Sequence, residues 1–426
     1  MSIKRRDFIG LTTTTVATGI LSGLTSCKAK VDQDETVTAS SGLKSMTGSV
    51  TPISKSEREA RIAKAQRLLT ENKMDALVLE SGTALTYFTG ITWWPSERTM
   101  AAIIPAKGDV KYVCPGFEEA RLREQITIGT EVLAWQEDES PYELIAKAIK
   151  DAGIVFSNVA IEERVRFFIA DGIRKAAPNL NCVSGDPVTI PCRIVKSAAE
   201  IKLMQTAMDI TLAAIKYGAS QLKEGMSQGD LSSIINNAQN ELGGSADFAL
   251  CLFGTSSAFP HGSKQPQQLK QGDIVLMDCG CLVEGYNSDI TRTIVFGEST
   301  ERQKQIWSLE KEAQSAGFAA AQLGAPCEAV DAAARKVITD AGFGPGYKLP
   351  GLPHRTGHGI GMDGHEWGNM VKGNKQLLEP GMCFSIEPNI SIVGEFGVRL
   401  EDCVYMTEEG PKWFSQQSKS INEPFG

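Results

Sequence analysis

Two strand-like ribbons each carry a pair of acidic residues. The first reads Asp273-Ile-Val-Leu-Met-Asp278-Cys-Gly-Cys-Leu-Val-Glu284-Gly285-Tyr-Asn-Ser-Asp289. Folded at its Val283–Glu284 midpoint, it sets Asp278 opposite Asp289. The second holds Ser385-Ile-Glu387-Pro388 and Val398-Arg399-Leu-Glu401-Asp402, with Glu387 and Glu401 equidistant from Gly394. Like charges held face to face are unfavourable unless a cation lies between them. Solvated strand ends are the alternative, but the Ile-Val-Leu-Met run before Asp278 argues for burial. One such pair is weak evidence of an ion; two are much stronger.

The chain has only four histidines. Three of them, His354, His358 and His365, fall within Pro353-His-Arg-Thr-Gly-His-Gly-Ile-Gly-Met-Asp-Gly-His-Glu366, and the fourth is in Pro260-His261-Gly262. Glycines permit close backbone approach, so an imidazole can be aimed at an ion. Four carboxylates with one imidazole form a hard donor set. It suits two divalent ions, Mn²⁺ first, with Co²⁺, Fe²⁺ or Zn²⁺ compatible, and excludes copper and iron–sulfur clusters. Ions paired in this way sit ~3.5–4 Å apart and activate water.

These residues need elements to position them. At 426 residues, 42% hydrophobic and 22% charged, the chain has ample material for packed cores. A net charge of −8 argues against a nucleic-acid grip. Ten cysteines without a CxxC pair read as buried thiols. Over 55–194 the pattern predicts an α/β domain. It has a helix capped by Ser56 and Glu59, a buried Asp75–Glu80 strand, a hairpin about Lys107-Gly108-Asp109 and a helix capped at Ser140. Near Ile194 a second domain begins, extending over 195–415. A capping box at Ser197 and Glu200 opens its first helix, and Ser227 precedes another. Residues 416–426 read as a tail.

The amino terminus reads as an address. Arg5 and Arg6 before an apolar, Thr-rich stretch resemble a twin-arginine export signal. Leu24-Thr-Ser-Cys27 resembles a lipobox, so residues 1–26 are expected to be removed and Cys27 lipidated. The product would be exported folded and anchored to a membrane, facing the periplasm or cell exterior. Removing three basic residues and one acidic residue takes the net charge from −8 to −10. Residues 27–54, rich in Ser, Thr, Asp and Lys, read as a flexible tether.

Taken together, the motifs resemble those of the pita-bread metallopeptidases: Xaa-Pro dipeptidases (prolidases), Xaa-Pro aminopeptidases and methionine aminopeptidases. Asp278, Gly280, Gly285, Tyr286, Ser288 and Asp289 meet one motif. Gly357–Gly361 with His365-Glu366, Ser385–Pro388 and Val398–Asp402 meet the others. The resemblance implies an α/β creatinase-like N-terminal domain and an α+β pita-bread catalytic domain. It implies Asp278, Asp289, His358, Glu387 and Glu401 as metal ligands. Catalytic roles fall to His261, His354, His365, Glu387 and Arg399. Glu387 would shuttle a proton, His365 and His354 would hold the carbonyl oxygen, and His261 would contact substrate. Arg399 would position the ligands. The implied reaction is metal-assisted hydrolysis of the bond before proline in dipeptides or short peptides, by a homodimer. Creatinase-like C–N hydrolysis, a sulfonium lyase and a non-enzymatic peptide-binding domain are the alternatives. Trp367 replaces the usual sequence after His-Glu and is a candidate pocket wall. Trp93 and Trp94, in a domain that in relatives can reach a neighbouring subunit's site, are candidates to cap the cleft there.

Overall fold

The computed structural model describes residues 42–426. Arg5, Arg6, Cys27, the leader and the first part of the tether lie outside the described residues. The rest of the expected tether is not loose. Ile53 is buried, Leu43 and Val50 pack on the second domain's core, and Met46 N–H donates to Leu242 O at 2.8 Å. Apolar residues scattered among the polar ones are enough to dock it.

The N-terminal domain is a six-stranded mixed sheet. Its strands are β1 (Ala76–Glu80), β2 (Ala101–Pro105), β3 (Lys111–Pro115), β4 (Glu131–Trp135), β5 (Asn158–Ile161) and β6 (Asn181–Ser184), in the order β4-β3-β2-β1-β5-β6. β1 is buried along its whole length because helices cover both faces. Leu77 and Leu79 face Leu69 and Phe88, while Ala76 and Val78 face Ile145 and Ile169. The first helix spans Lys55–Glu71 and is capped by Ser54, whose hydroxyl accepts from Glu57 N–H at 3.1 Å. The cap thus falls two residues before the expected Ser56.

The second domain opens on the helix Ala198–Ser220, with the Ser197/Glu200 capping box formed as expected. That helix and Gln228–Glu241 pack on a sheet of β7 (Ser245–Phe253), β8 (Ile274–Val283), β9 (Tyr286–Asn287) and β10 (Ile290–Val295). A second sheet comprises β11 (Gly357–Gly359), β12 (Glu366–Met370), β13 (Cys383–Ile386), β16 (Asp402–Thr407) and β17 (Gly410–Trp413). The ribbon of β14 (Asn389–Ile392) and β15 (Phe396–Arg399) extends from it. The helices Glu301–Ala320 and Cys327–Asp340 pack behind. The two sheets join where Thr291 and Glu401 exchange backbone hydrogen bonds of 3.2 Å each.

The two ribbons compare differently with the expected registers. Glu284 (φ 51°) and Gly285 (φ 80°) form a two-residue turn, the tight hairpin connection that needs positive φ at both positions. The apex therefore lies one residue later than the expected midpoint, and Asp278 pairs with Thr291 rather than Asp289. A two-residue shift preserves the face. Asp289 is a diagonal neighbour of Asp278, not a direct opposite. In the second ribbon Ile392 pairs with Phe396 and Asn389 with Arg399. Ile386 pairs with Asp402 in the same register, so Glu387 lies opposite Glu401 as the spacing about Gly394 predicts.

Residues 416–426 are no loose tail. Ile421 is buried, and Gln416 O accepts from the fully buried Arg292 at 2.8 Å. Nine cysteines are described; all are free and eight are buried, with Cys182 partly exposed. Among the described residues no helix is long and apolar enough to cross a membrane.

Candidate active site

The two ribbons and β11 converge on one point. Ligand atoms of Asp278, Asp289 and Glu401 lie within 4.8 Å of one another, as do those of His358, Glu387 and Glu401. His358 Nε2 is 3.1 Å from Glu387 Oε1, 3.7 Å from Asp289 Oδ2 and 4.0 Å from Glu401 Oε1. Its Nδ1 lies 3.1 Å from Gly359 O, which turns Nε2 towards the acids. The flanking glycines make this possible. A Cβ on Gly359 would sit 1.8 Å from Trp367 O, and one on Gly357 would sit 1.9 Å from Ser385 O.

This cluster fits divalent cations. Asp278 Oδ1 and Glu401 Oε1 are buried without a hydrogen-bond partner. Burial, then the charges of Asp278 and Glu387, push Asp289 well above the usual carboxylate range. Burial, then Asp289 and Glu387, do the same to Glu401. Burial also opposes ionisation of Glu387, but His358, His354 and Arg399 together outweigh it and hold that carboxyl at about 2. Four such acids coexist as anions only where cations balance them.

Arg399 fixes the acid frame. It is fully engaged, pairing with Asp278 and donating to Thr291 Oγ1 at 3.2 Å and Pro260 O at 3.1 Å. The last bond ties down the His261 loop. Thr291 Oγ1 in turn donates to Glu401 Oε2 at 2.8 Å. Thr291 belongs to none of the acid and histidine motifs; its position two residues beyond Asp289 on an alternating strand is the signal the sequence carries for it.

A cleft of about 1020 Å³ opens onto this centre, bordered by His261, His354, His365, Phe248, Leu250, Phe259, Leu349 and Val393. All nine sequence-selected catalytic and ligand residues of this domain border it. Arg355 donates to His365 Nδ1 at 3.1 Å, which puts the His365 proton on Nε2. Burial, then His358 and Arg355, lower His365 to about 4, so it is neutral near pH 7. His354 has the other tautomer. Its Nδ1 lies 2.7 Å from Arg355 O, and its buried Nε2 has no partner. Burial lowers its pKa as well.

The loop before His365 is held by the N-terminal domain. Asp363 accepts from Arg193 at 2.6 Å, Arg164 at 2.6 Å and Thr83 at 2.7 Å. Glu366 is buried between Arg193 at 2.6 Å and Lys196 at 2.8 Å. Trp367 packs on the Ile194–Met370 core, with Arg193 5.4 Å above its ring, and does not border the cleft. Trp93 lies beneath Arg121 at 4.6 Å and Trp94 is 81% exposed, both away from the cleft of their own chain.

A buried carboxylate–imidazole centre at the junction of two sheets, behind an α/β domain, defines a metallopeptidase of the pita-bread type. The signature of metallopeptidase family M24 matches residues 202–408, and that of the creatinase/prolidase N-terminal domain matches 61–195. The chain belongs to this family and is a metal-dependent exopeptidase. It is 32% identical over 364 residues to the Xaa-Pro dipeptidase of Lactobacillus delbrueckii subsp. lactis, spanning 84% of this chain and 97% of that one. Its fold is similar to dipeptidase PepE from Mycobacterium ulcerans, with TM-score 0.80 and 31% identity over 87% of this chain and 98% of that one. It is also similar to a recombinant prolidase from Thermococcus sibiricus, with TM-score 0.77 and 30% identity over 84% and 97%.

Proposed function

We propose that this protein hydrolyses the Xaa-Pro bond of dipeptides or short peptides with two divalent ions, Mn²⁺ first among them. The observation that carries the reading is the convergence of Asp278, Asp289, His358, Glu387 and Glu401 at the floor of one cleft. Those residues would hold the ions, which when bound polarise the carbonyl and lower the pKa of water. His365 donates Nε2–H to the oxygen that gains charge at the scissile carbonyl. His354 presents a lone pair at Nε2 and serves as an acceptor, so the two histidines expected to share the carbonyl divide the work. Glu387 Oε1 accepts from Ser385 Oγ at 3.2 Å, which leaves Oε2 to take the proton from water. The same carboxyl returns it to the proline nitrogen as that bond breaks. His261, on the loop anchored by Arg399, contacts the substrate beside the scissile amide.

Leucine release from Leu-Pro, compared with Leu-Pro-Xaa tripeptides, tests the reading with Mn²⁺ added to metal-stripped protein. Release from Leu-Pro that depends on the metal supports it. No release from any Xaa-Pro peptide contradicts it.

The leader belongs to the same proposal: export through Arg5 and Arg6, a lipid on Cys27, and assembly as a homodimer at the membrane surface. Cys27→Ser should move the mature protein from the membrane to the soluble fraction. Retention in the membrane fraction contradicts the anchor.

A further inference from the structure

We propose that Asp247 selects a cationic side chain, lysine or arginine, on the residue ahead of proline; this rests on the Xaa-Pro reading above. On β7, Leu250 pairs with Asp278 and Phe248 with Gly280. Alternation puts both on the face that carries Asp278, and both border the cleft. Ala246 then pairs with Cys281, so Asp247 is an extra residue without a partner across the ladder, a β-bulge. Regular alternation would aim position 247 at the opposite face, towards the core that holds Cys281. The bulge instead turns it into the cleft beside Phe248 and Leu250. Bulges re-aim side chains in this way.

The Asp247 carboxylate is exposed at the cleft mouth, and no described residue forms an ion pair or hydrogen bond with it. Two divalent ions formally neutralise the four carboxylates of the centre, and the two arginines at the cleft are engaged elsewhere, Arg399 by Asp278 and Arg355 by His365, so Asp247 faces substrate without a cationic partner. Its position discriminates between the two cations a substrate offers. It lies one strand spacing across and two to three residues along from Asp278, roughly 8–10 Å backbone to backbone. The α-ammonium sits within about 4 Å of the scissile carbonyl and stays near the ions. A lysine or arginine stem reaches about 6 Å further, laying its methylenes on Phe248 and Leu250 with the charge at Asp247.

The test compares kcat and KM of the Mn²⁺-loaded full chain for Lys-Pro, Leu-Pro and Glu-Pro. Lys-Pro should exceed Leu-Pro in kcat/KM by about five- to tenfold, with the difference in KM. Asp247→Asn should bring that ratio to about one, and Asp247→Lys should invert it in favour of Glu-Pro. No preference for Lys-Pro in the wild type, or a ratio that both variants leave unaltered, overturns the proposal while Leu-Pro turnover upholds the peptidase reading. No turnover on any of the three overturns both.

Discussion

At the scale of single residues, the site separates into groups that hold charge and groups that set proton positions. His365 belongs to the second class, because Arg355 can only donate and so fixes its tautomer. His365→Ala should retain its metals and lose about 10²–10³ in kcat, the usual effect of removing an oxyanion donor. Metal analysis beside steady-state rates checks this, and collapse of metal content would reverse the division of roles. Thr291→Val removes the hydroxyl between Arg399 and Glu401. Weaker metal binding is expected, read as a higher Mn²⁺ concentration at half-maximal activity, with the fold intact by circular dichroism. The acids and histidines were legible in the sequence because carboxylates beside apolar runs and histidines between glycines are costly placements without a purpose. Thr291 and Arg355 were not, because a threonine in a strand and an arginine in a loop are ordinary residues until their partners are known.

Elements supply the precision. β11 is squeezed between β12 and β13 so closely that position 359 tolerates no Cβ. Gly359→Ala should displace His358, lose bound metal and cost about 2–4 kcal/mol of stability. Denaturant unfolding with elemental analysis measures both. The loop before His365 depends on charge at Asp363, which three donors share. Asp363→Asn should lower kcat about tenfold with metal content unchanged; an unchanged kcat would show that the loop holds itself. Spacing alone located both ribbons, but only the second in register. Its glycine-centred turn is symmetric about Gly394, whereas the first turns on Glu284-Gly285, and a glutamate at positive φ is not legible from composition. The bulge at Asp247 was invisible for a similar reason, since an extra residue shows only against its partner strand.

For the whole molecule, the two domains behave as one unit. Arg61 on the first helix donates to Tyr286 Oη at 3.0 Å, and Tyr286 donates to Glu200 at 2.9 Å, all three buried. With the Asp363 cluster, this joins the α/β domain to both the first ribbon and the His365 loop. Glu366 makes the union sensitive to acid. Burial opposes its charge, but Lys196 and Arg193 hold it at about 2, below the ordinary 4.5. A depressed carboxyl stabilises the fold fully above about pH 4.5 and loses that contribution as pH falls towards 2. The shift corresponds to roughly 3 kcal/mol. Stability curves should therefore fall steeply through that window, and Glu366→Gln should flatten the fall at the cost of lower stability near pH 7. The domain order was legible from capping boxes and hydrophobic runs; the ionic union was not, because its members are far apart in sequence.

The proposed function requires two divalent cations held between the two acidic ribbons and His358. Elemental analysis of purified, active protein, titrated with Mn²⁺ against rate, tests it most directly. Two ions per chain at full activity, with at least one lost and turnover nearly abolished in Asp289→Asn, is the predicted result. Full activity in metal-stripped protein, or Asp289→Asn with unaltered metal content and turnover, would contradict it.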